Sequence, residues 1–370
     1  MAQSLPVQAV EPLAWLRALK QPQLAREWTL SDWQRVVRLG RRLRLLGRLA
    51  EGLSAADLLD RVPNQPRRHL LGELRLSRAR TAAMLWTMNR VADALNDAPY
   101  PRVLLKGAAY IGQDLSISTG RLPSDLDILV PRSDLSDAQR RLKSAGWNEV
   151  ELDSHDRRYY YEWSHEVPPM WHPLLTVELD LHHNILPPVA RTRVDADMLL
   201  GRLQPSRWST WQVLHPCDQV LHCAVHLFLD SEPRDRIRDI VDLDGLFGHF
   251  GEHPEFWREL QERAQELGLS QSLALASHFT TTWLGTRMSE GFLRSIAGKG
   301  LSGWRQASLQ MIFERILMPT EPDQAPSWQQ DVAALLQLAR FYRQRMPISS
   351  LATHVWHKVR TRHAAGRDAT

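Results

Sequence analysis

The stretch Ser124-Asp125-Leu126-Asp127-Ile128-Leu129-Val130 sets two carboxylates one residue apart in an apolar run. Side chains alternate along a strand, so Asp125 and Asp127 share one face while Leu126, Ile128 and Val130 turn to a core. Adjacent anions repel, and a hard divalent ion with oxygen ligands, such as Mg²⁺, is their natural partner. The plain alternative is a strand edge with two solvated aspartates. A second acidic strand follows at Val177–His182, with Glu178, Asp180 and His182 on one face and Val177, Leu179 and Leu181 on the other. If the two strands lie side by side, several carboxylates converge. Such a cluster can hold two metal ions for phosphoryl or nucleotidyl transfer. A third element, Leu104-Leu105-Lys106-Gly107-Ala108, ends an apolar strand in a glycine turn that lets backbone N–H groups approach a phosphate. Lys106 adds a full positive charge there, and Arg121 can serve as a second phosphate clamp or as an ordinary loop arginine.

These pieces need a small α/β unit to position them. The spacing predicts a strand at 101–105, a helix from Lys106 to Ser116 and a loop from Ser118 to Ser124. The Asp125–Val130 strand follows, then a helix from Asp134 to Ala145 capped by Ser133. Further strands are expected at Trp147–Leu152, Arg158–Trp163 and Leu174–His182. Ahead of this unit, Trp33, Val36, Leu39, Leu43, Leu46, Ala50 and Leu53 recur at helical spacing, which predicts one helix over Asp32–Leu53 capped by Ser31. A second helix is expected over Arg68–Asn96. After Pro187-Pro188 the chain reads as helical to its end: His215–Asp230, Arg234–Phe250, Glu255–Leu267, Gln271–Leu284, Gly303–Leu317 and Trp328–Met346, the last capped by Ser327. The division expected is a helical region over 1–97, a catalytic core over 98–190 and a helical domain over 191–370.

Together the three motifs resemble the nucleotidyltransferase superfamily that includes DNA polymerase beta. More closely, Leu104–Ala109, Arg121–Val130 and Asp180-Leu181-His182 resemble an uncharacterised bacterial nucleotidyltransferase family. The resemblance implies an α+β fold with a polymerase-beta-like core, a small mixed sheet with helices, flanked by helical regions. It implies that Asp125, Asp127 and Asp180 bind two Mg²⁺ or Mn²⁺ ions, Asp180 serving near the acceptor or as its base. Gly107 would face the triphosphate, with Lys106, Ala108, Arg121, Ser124 and His182 also on the binding side; His182 would orient Asp180 or contact the acceptor. The substrate expected is an NTP, ATP first, whose NMP passes to a hydroxyl-type acceptor with release of pyrophosphate. One departure stands out: the wider superfamily has serine or glycine after the turn glycine, and this chain has Ala108. That departure supports a second hypothesis, a catalytically silent nucleotide-binding scaffold of the same fold.

Composition narrows the field. The 370 residues carry 43% hydrophobic and 24% charged side chains, an ordinary globular balance. A net charge of +4 without a long block of one sign argues mildly against long nucleic acids and favours a small-molecule, peptide or protein acceptor. Two cysteines cannot build a disulfide framework, which agrees with a cytoplasmic protein. No run approaches the roughly 18 apolar residues of a membrane span, and Met1–Lys20 has no signal-peptide pattern. His215, Cys217, His222, Cys223 and His226 suggest zinc at first sight, but their spacing is not that of a usual site. His226, Arg238, Asp239 and Asp242 are expected to line the cleft from the helical side. Tyr159-Tyr160-Tyr161 and Trp163 are expected to cover the sheet. The arginine-bearing tail from Lys358 to Thr370 is expected to be solvated.

Overall fold

The fold is taken from a computed structural model, which describes residues 13–152, 159–299 and 303–345. The segment 1–12, Arg158, and the tail from Lys358 to Thr370 lie outside the described residues. Thr29, not Ser31, begins α1 (Leu30–Arg42). Its hydroxyl accepts from the Asp32 N–H at 3.2 Å, and the Asp32 carboxylate accepts from the Thr29 N–H at 2.9 Å. The helix expected to run to Leu53 instead breaks at Arg44, which takes φ +56°, and restarts as α2 (Leu46–Ala55). The break has a packing reason. Leu43, Leu45 and Leu46 are each at most 1% exposed, whereas an unbroken helix would turn one of them outward. The long α3 (Asn64–Ala94) starts ahead of its expected position because Pro66 is tolerated in a first turn.

The site rests on one mixed sheet. Its strands are β1 (Val103–Leu104), β2 (Asp125–Leu129), β3 (Asn148–Glu149), β4 (Met170–Trp171), β5 (Glu178–His182), β6 (Gln204–Pro205) and β7 (Gln212–Val213). They lie in the order β3-β4-β5-β2-β1-β7-β6. At its centre β2 and β5 run parallel, with Leu126 beside Leu179, Asp127 beside Asp180 and Ile128 beside Leu181. Those four aliphatic side chains are wholly buried, which fixes the register: a slip by one residue would turn the acids inward. Between β1 and β2 lies α4 (Lys106–Gly112), and between β2 and β3 lies α5 (Leu135–Ser144).

Two features of the sheet depart from the expected pattern. Tyr159–Trp163 form a single π-helical turn, not a strand. Their place beside β5 is taken by β4 and by a bridge between Glu166 and His182, so strand propensity finds no partner there. The other departure is that β6 and β7 extend the sheet beyond residue 190, β7 pairing in parallel with β1. Each has two residues, too few for a period to show in the sequence.

The remaining helices are α6 (Ala196–Leu200), α7 (Pro216–Phe228), α8 (Ile237–Phe250), α9 (Phe256–Glu266), α10 (Ser270–Leu284), α11 (Glu290–Lys299), α12 (Gly303–Leu317) and α13 (Trp328–Arg345). Ser327 caps α13 as expected: its hydroxyl accepts from the Gln330 N–H at 3.3 Å. α6 and α11 fall in the stretch read as helical but outside the helices named there. The N-terminal helices reach the site through a backbone contact. A Cβ at Gly47 in α2 would collide with the carbonyl oxygen of Gly120, and one at Gly120 (φ +68°) with the carbonyl of Gly47. Gly47→Ala therefore forces two backbones apart, at an expected cost of about 1–3 kcal/mol. A urea melt superimposable on wild type would refute that contact.

Candidate active site

Asp127 lies at the centre of the site, 3% exposed. Its Oδ1 accepts from Lys106 Nζ at 2.8 Å and from His182 Nε2 at 2.9 Å. Backbone geometry delivers both partners. The Leu105 N–H donates to the Asp127 carbonyl at 3.0 Å, so the chain turns into α4 directly beside β2. Lys106 makes that turn at φ +44°, a conformation rare for a side chain of its size. His182 closes β5, two residues beyond Asp180 and on the same face. Burial pushes the Asp127 carboxyl up, but the Lys106 charge and the His182 hydrogen bond outweigh it and hold the group well below the usual carboxylate range. Burial likewise pulls Lys106 and His182 down, and Asp127 reverses the sign for each.

Asp180 is in the opposite condition. Burial, followed by the charge of Asp127, pushes its carboxyl up to about 7. Asp125 is half-buried, and its Oδ1 accepts from the Ser124 hydroxyl at 2.8 Å. The structure adds a fourth acid, Glu166, whose Oε2 lies 3.4 Å from His182 Nδ1. The sequence reading missed Glu166 because it stands in no periodic run, and only its bridge to His182 brings it in. His165, Glu166 and His182 offer ligand atoms within 4.8 Å of one another. Among the described residues the three aspartates make no such group, because Asp127 is turned toward Lys106 and His182.

Arg121 does not reach out as a phosphate clamp. It is buried beneath the glycine turn, with its Nε 3.1 Å from Asp242 Oδ2 and its guanidinium 5.7 Å from the Tyr110 ring centre. Arg48 ion-pairs with the other oxygen of the same carboxylate. Gly107 has a packing reason of its own, since a Cβ there would strike Arg121 Nη1. Ala108 is buried too, so α4 meets the site through its backbone and Lys106.

Helices α7 and α8 form the opposite wall. Burial, then the charge of Lys106, pulls His222 well below its ordinary value and His226 down to about 4. Both imidazoles are therefore neutral at pH 7. Arg236 binds Asp239 Oδ2 through Nε and Nη2 at 3.0 and 2.6 Å and also ion-pairs with Asp230. The zinc-like cluster of the sequence divides in two. His215 and Cys217 meet Glu259 at the start of α7, while His226 meets Arg236 and Asp239 farther along it. Burial pushes the Cys217 thiol up to about 12.

With two parallel acidic strands, a lysine-bearing turn and a helical wall in place, the comparison with known families is specific. Residues 29–285 match the sequence model of a family described as "Uncharacterised nucleotidyltransferase". The chain belongs to this family. No curated protein and no solved structure gave a significant match. Membership implies an NTP as substrate and transfer of a nucleotidyl group. The matched span begins at Thr29, the cap of α1, and ends at Gly285, behind α10. The matched span thus takes in α1–α3 and α7–α10 together with the sheet. Among the described residues no helix is long and apolar enough to cross a membrane.

Proposed function

We propose that the protein transfers NMP from an NTP, ATP first, to a hydroxyl on a small molecule, peptide or protein, in the manner of polymerase-beta-like enzymes. The observation that carries this is the register pairing of Asp127 with Asp180, which puts both on one face with Asp125. An acceptor oxygen attacks the α-phosphorus, the bond to the β-phosphate bridging oxygen breaks, and pyrophosphate leaves. The residues suit a hard divalent ion: their donors are carboxylate oxygens, and a cation beside Asp180 would relieve the repulsion from Asp127. Asp125, Asp127 and Asp180 would hold Mg²⁺ or Mn²⁺, which would neutralise charge developing on the phosphate oxygens. Asp180 would serve nearest the acceptor, as a ligand of the metal there or as the base that takes the acceptor proton. His182 would orient the Asp127 carboxylate through their hydrogen bond.

One observation favours the silent-scaffold reading: Asp127 already serves two cationic partners. A single experiment separates the readings. Purified protein is incubated with Mg²⁺ and each α-³²P-labelled NTP in the presence of RNA, protein and metabolite pools, beside Asp125→Asn. Label entering one pool with wild type alone supports transfer and names the acceptor class. Bound NTP without label in any pool would favour the scaffold.

A further inference from the structure

Resting on that nucleotidyl-transfer reading, we propose that Arg238 of α8, which lies against the loop that delivers Asp125, is the arginine that grips the triphosphate. The two basic residues that the sequence assigned to this task are engaged elsewhere. Lys106 is bound to Asp127 and Arg121 to Asp242. Several other buried arginines also have carboxylate partners at close range: Arg48 on Asp242, Arg236 on Asp239 and Asp230, Arg263 on Asp218 and Glu266.

Arg238 differs. Its side chain is only 16% exposed, yet the nearest carboxylate oxygen, Asp239 Oδ1, is 3.8 Å from its Nε. Arg236 already takes the other oxygen of Asp239. The one hydrogen bond that Arg238 makes within the described residues is long, from Nη1 to the Leu122 carbonyl at 3.4 Å. A guanidinium has five N–H donors, so most of its capacity is unspent. Burial, then the charge of Arg121, pulls its pKa down against the opposing charges of Asp239 and Asp242.

Its place in the fold points to the ligand. Leu122 precedes Asp125 by three residues, so it stands within about 10 Å of the aspartate that leads β2, with Arg238 one hydrogen bond farther on. A polyphosphate offers several oxygens in the planar geometry that an arginine fork matches two at a time. Lysine at this position would supply charge without the fork.

The test is titration calorimetry of the full chain with inorganic tripolyphosphate, Mg·ATP and adenosine, for wild type, Arg238→Ala and Arg238→Lys. Arg238→Ala is expected to weaken tripolyphosphate and Mg·ATP at least tenfold and to leave adenosine unchanged. Arg238→Lys, which retains the charge and preserves the packing if the alanine variant melts early, should fall between them. Wild-type affinity for tripolyphosphate in both variants, with wild-type protein still transferring label, would overturn the role of Arg238 and leave nucleotidyl transfer standing. Wild-type protein that neither binds Mg·ATP nor transfers label would overturn both.

Discussion

Asp127→Asn is expected to destabilise the fold by about 3 kcal/mol and to abolish transfer, whereas Asp125→Asn abolishes transfer with a melt within about 1 kcal/mol of wild type. The difference follows from what each carboxylate touches. Asp127 is buried against the Lys106 ammonium and the His182 ring, so its loss leaves the ammonium without a counterion. Asp125 is half-buried at the start of β2 and accepts a hydrogen bond from the Ser124 hydroxyl. Thermal denaturation followed by circular dichroism reads the first effect, and labelled-nucleotide transfer reads the second. Adding Lys106→Met to Asp127→Asn removes the stranded ammonium and should recover part of the lost stability. Equal melts for the two aspartate variants would contradict the central role given to Asp127.

The second large effect concerns pH. The Asp180 carboxyl lies near 7 in the folded chain, against 3.8 for the unperturbed group. An acid whose pKa is raised by folding favours the folded state while it is protonated. Its contribution is complete below about 4 and is lost as pH rises through 7, the reverse of the usual aspartate. Metal-free protein should therefore lose on the order of 2 kcal/mol from this group between pH 4 and pH 8, and Asp180→Asn should abolish that component of the slope. Mg²⁺ added at pH 8 should restore stability to wild type and do little for Asp180→Asn. Urea melts across this range, with and without Mg²⁺, check both statements. A wild-type slope equal to that of the variant would mean that Asp180 ionises freely.

What the sequence revealed here is what periodicity can carry. Alternation over Asp125–Val130 and Val177–His182 assigned the acids to one face, and the structure adds that the strands are parallel neighbours in register. The C-terminal helices were legible because their apolar stripes span several turns. Information was lost where a feature is short or relational. No period can mark β6 and β7 at two residues each. Lys106 reads as a phosphate ligand until its ammonium is seen on Asp127, and Arg121 as a clamp until Asp242 is found beneath it. Glu166 acquires meaning from His182 alone. The break at Arg44 came from packing demands on three leucines, which outweighed an unbroken helical pattern.

Asp242 joins Arg48 and Arg121, partners 194 and 121 residues away along the chain. Closing loops of that length forfeits chain entropy, so the pairing forms only after neighbouring segments have condensed. On the ribosome the acidic strand β2 emerges well before Asp242 does. A nascent chain therefore carries both of its leading aspartates while Arg121, under the turn that presents Lys106, still lacks its counterion. Asp242 reaches Arg121 only when α8 is docked, so a fragment ending at residue 190 would carry the acids without the residue that anchors their loop.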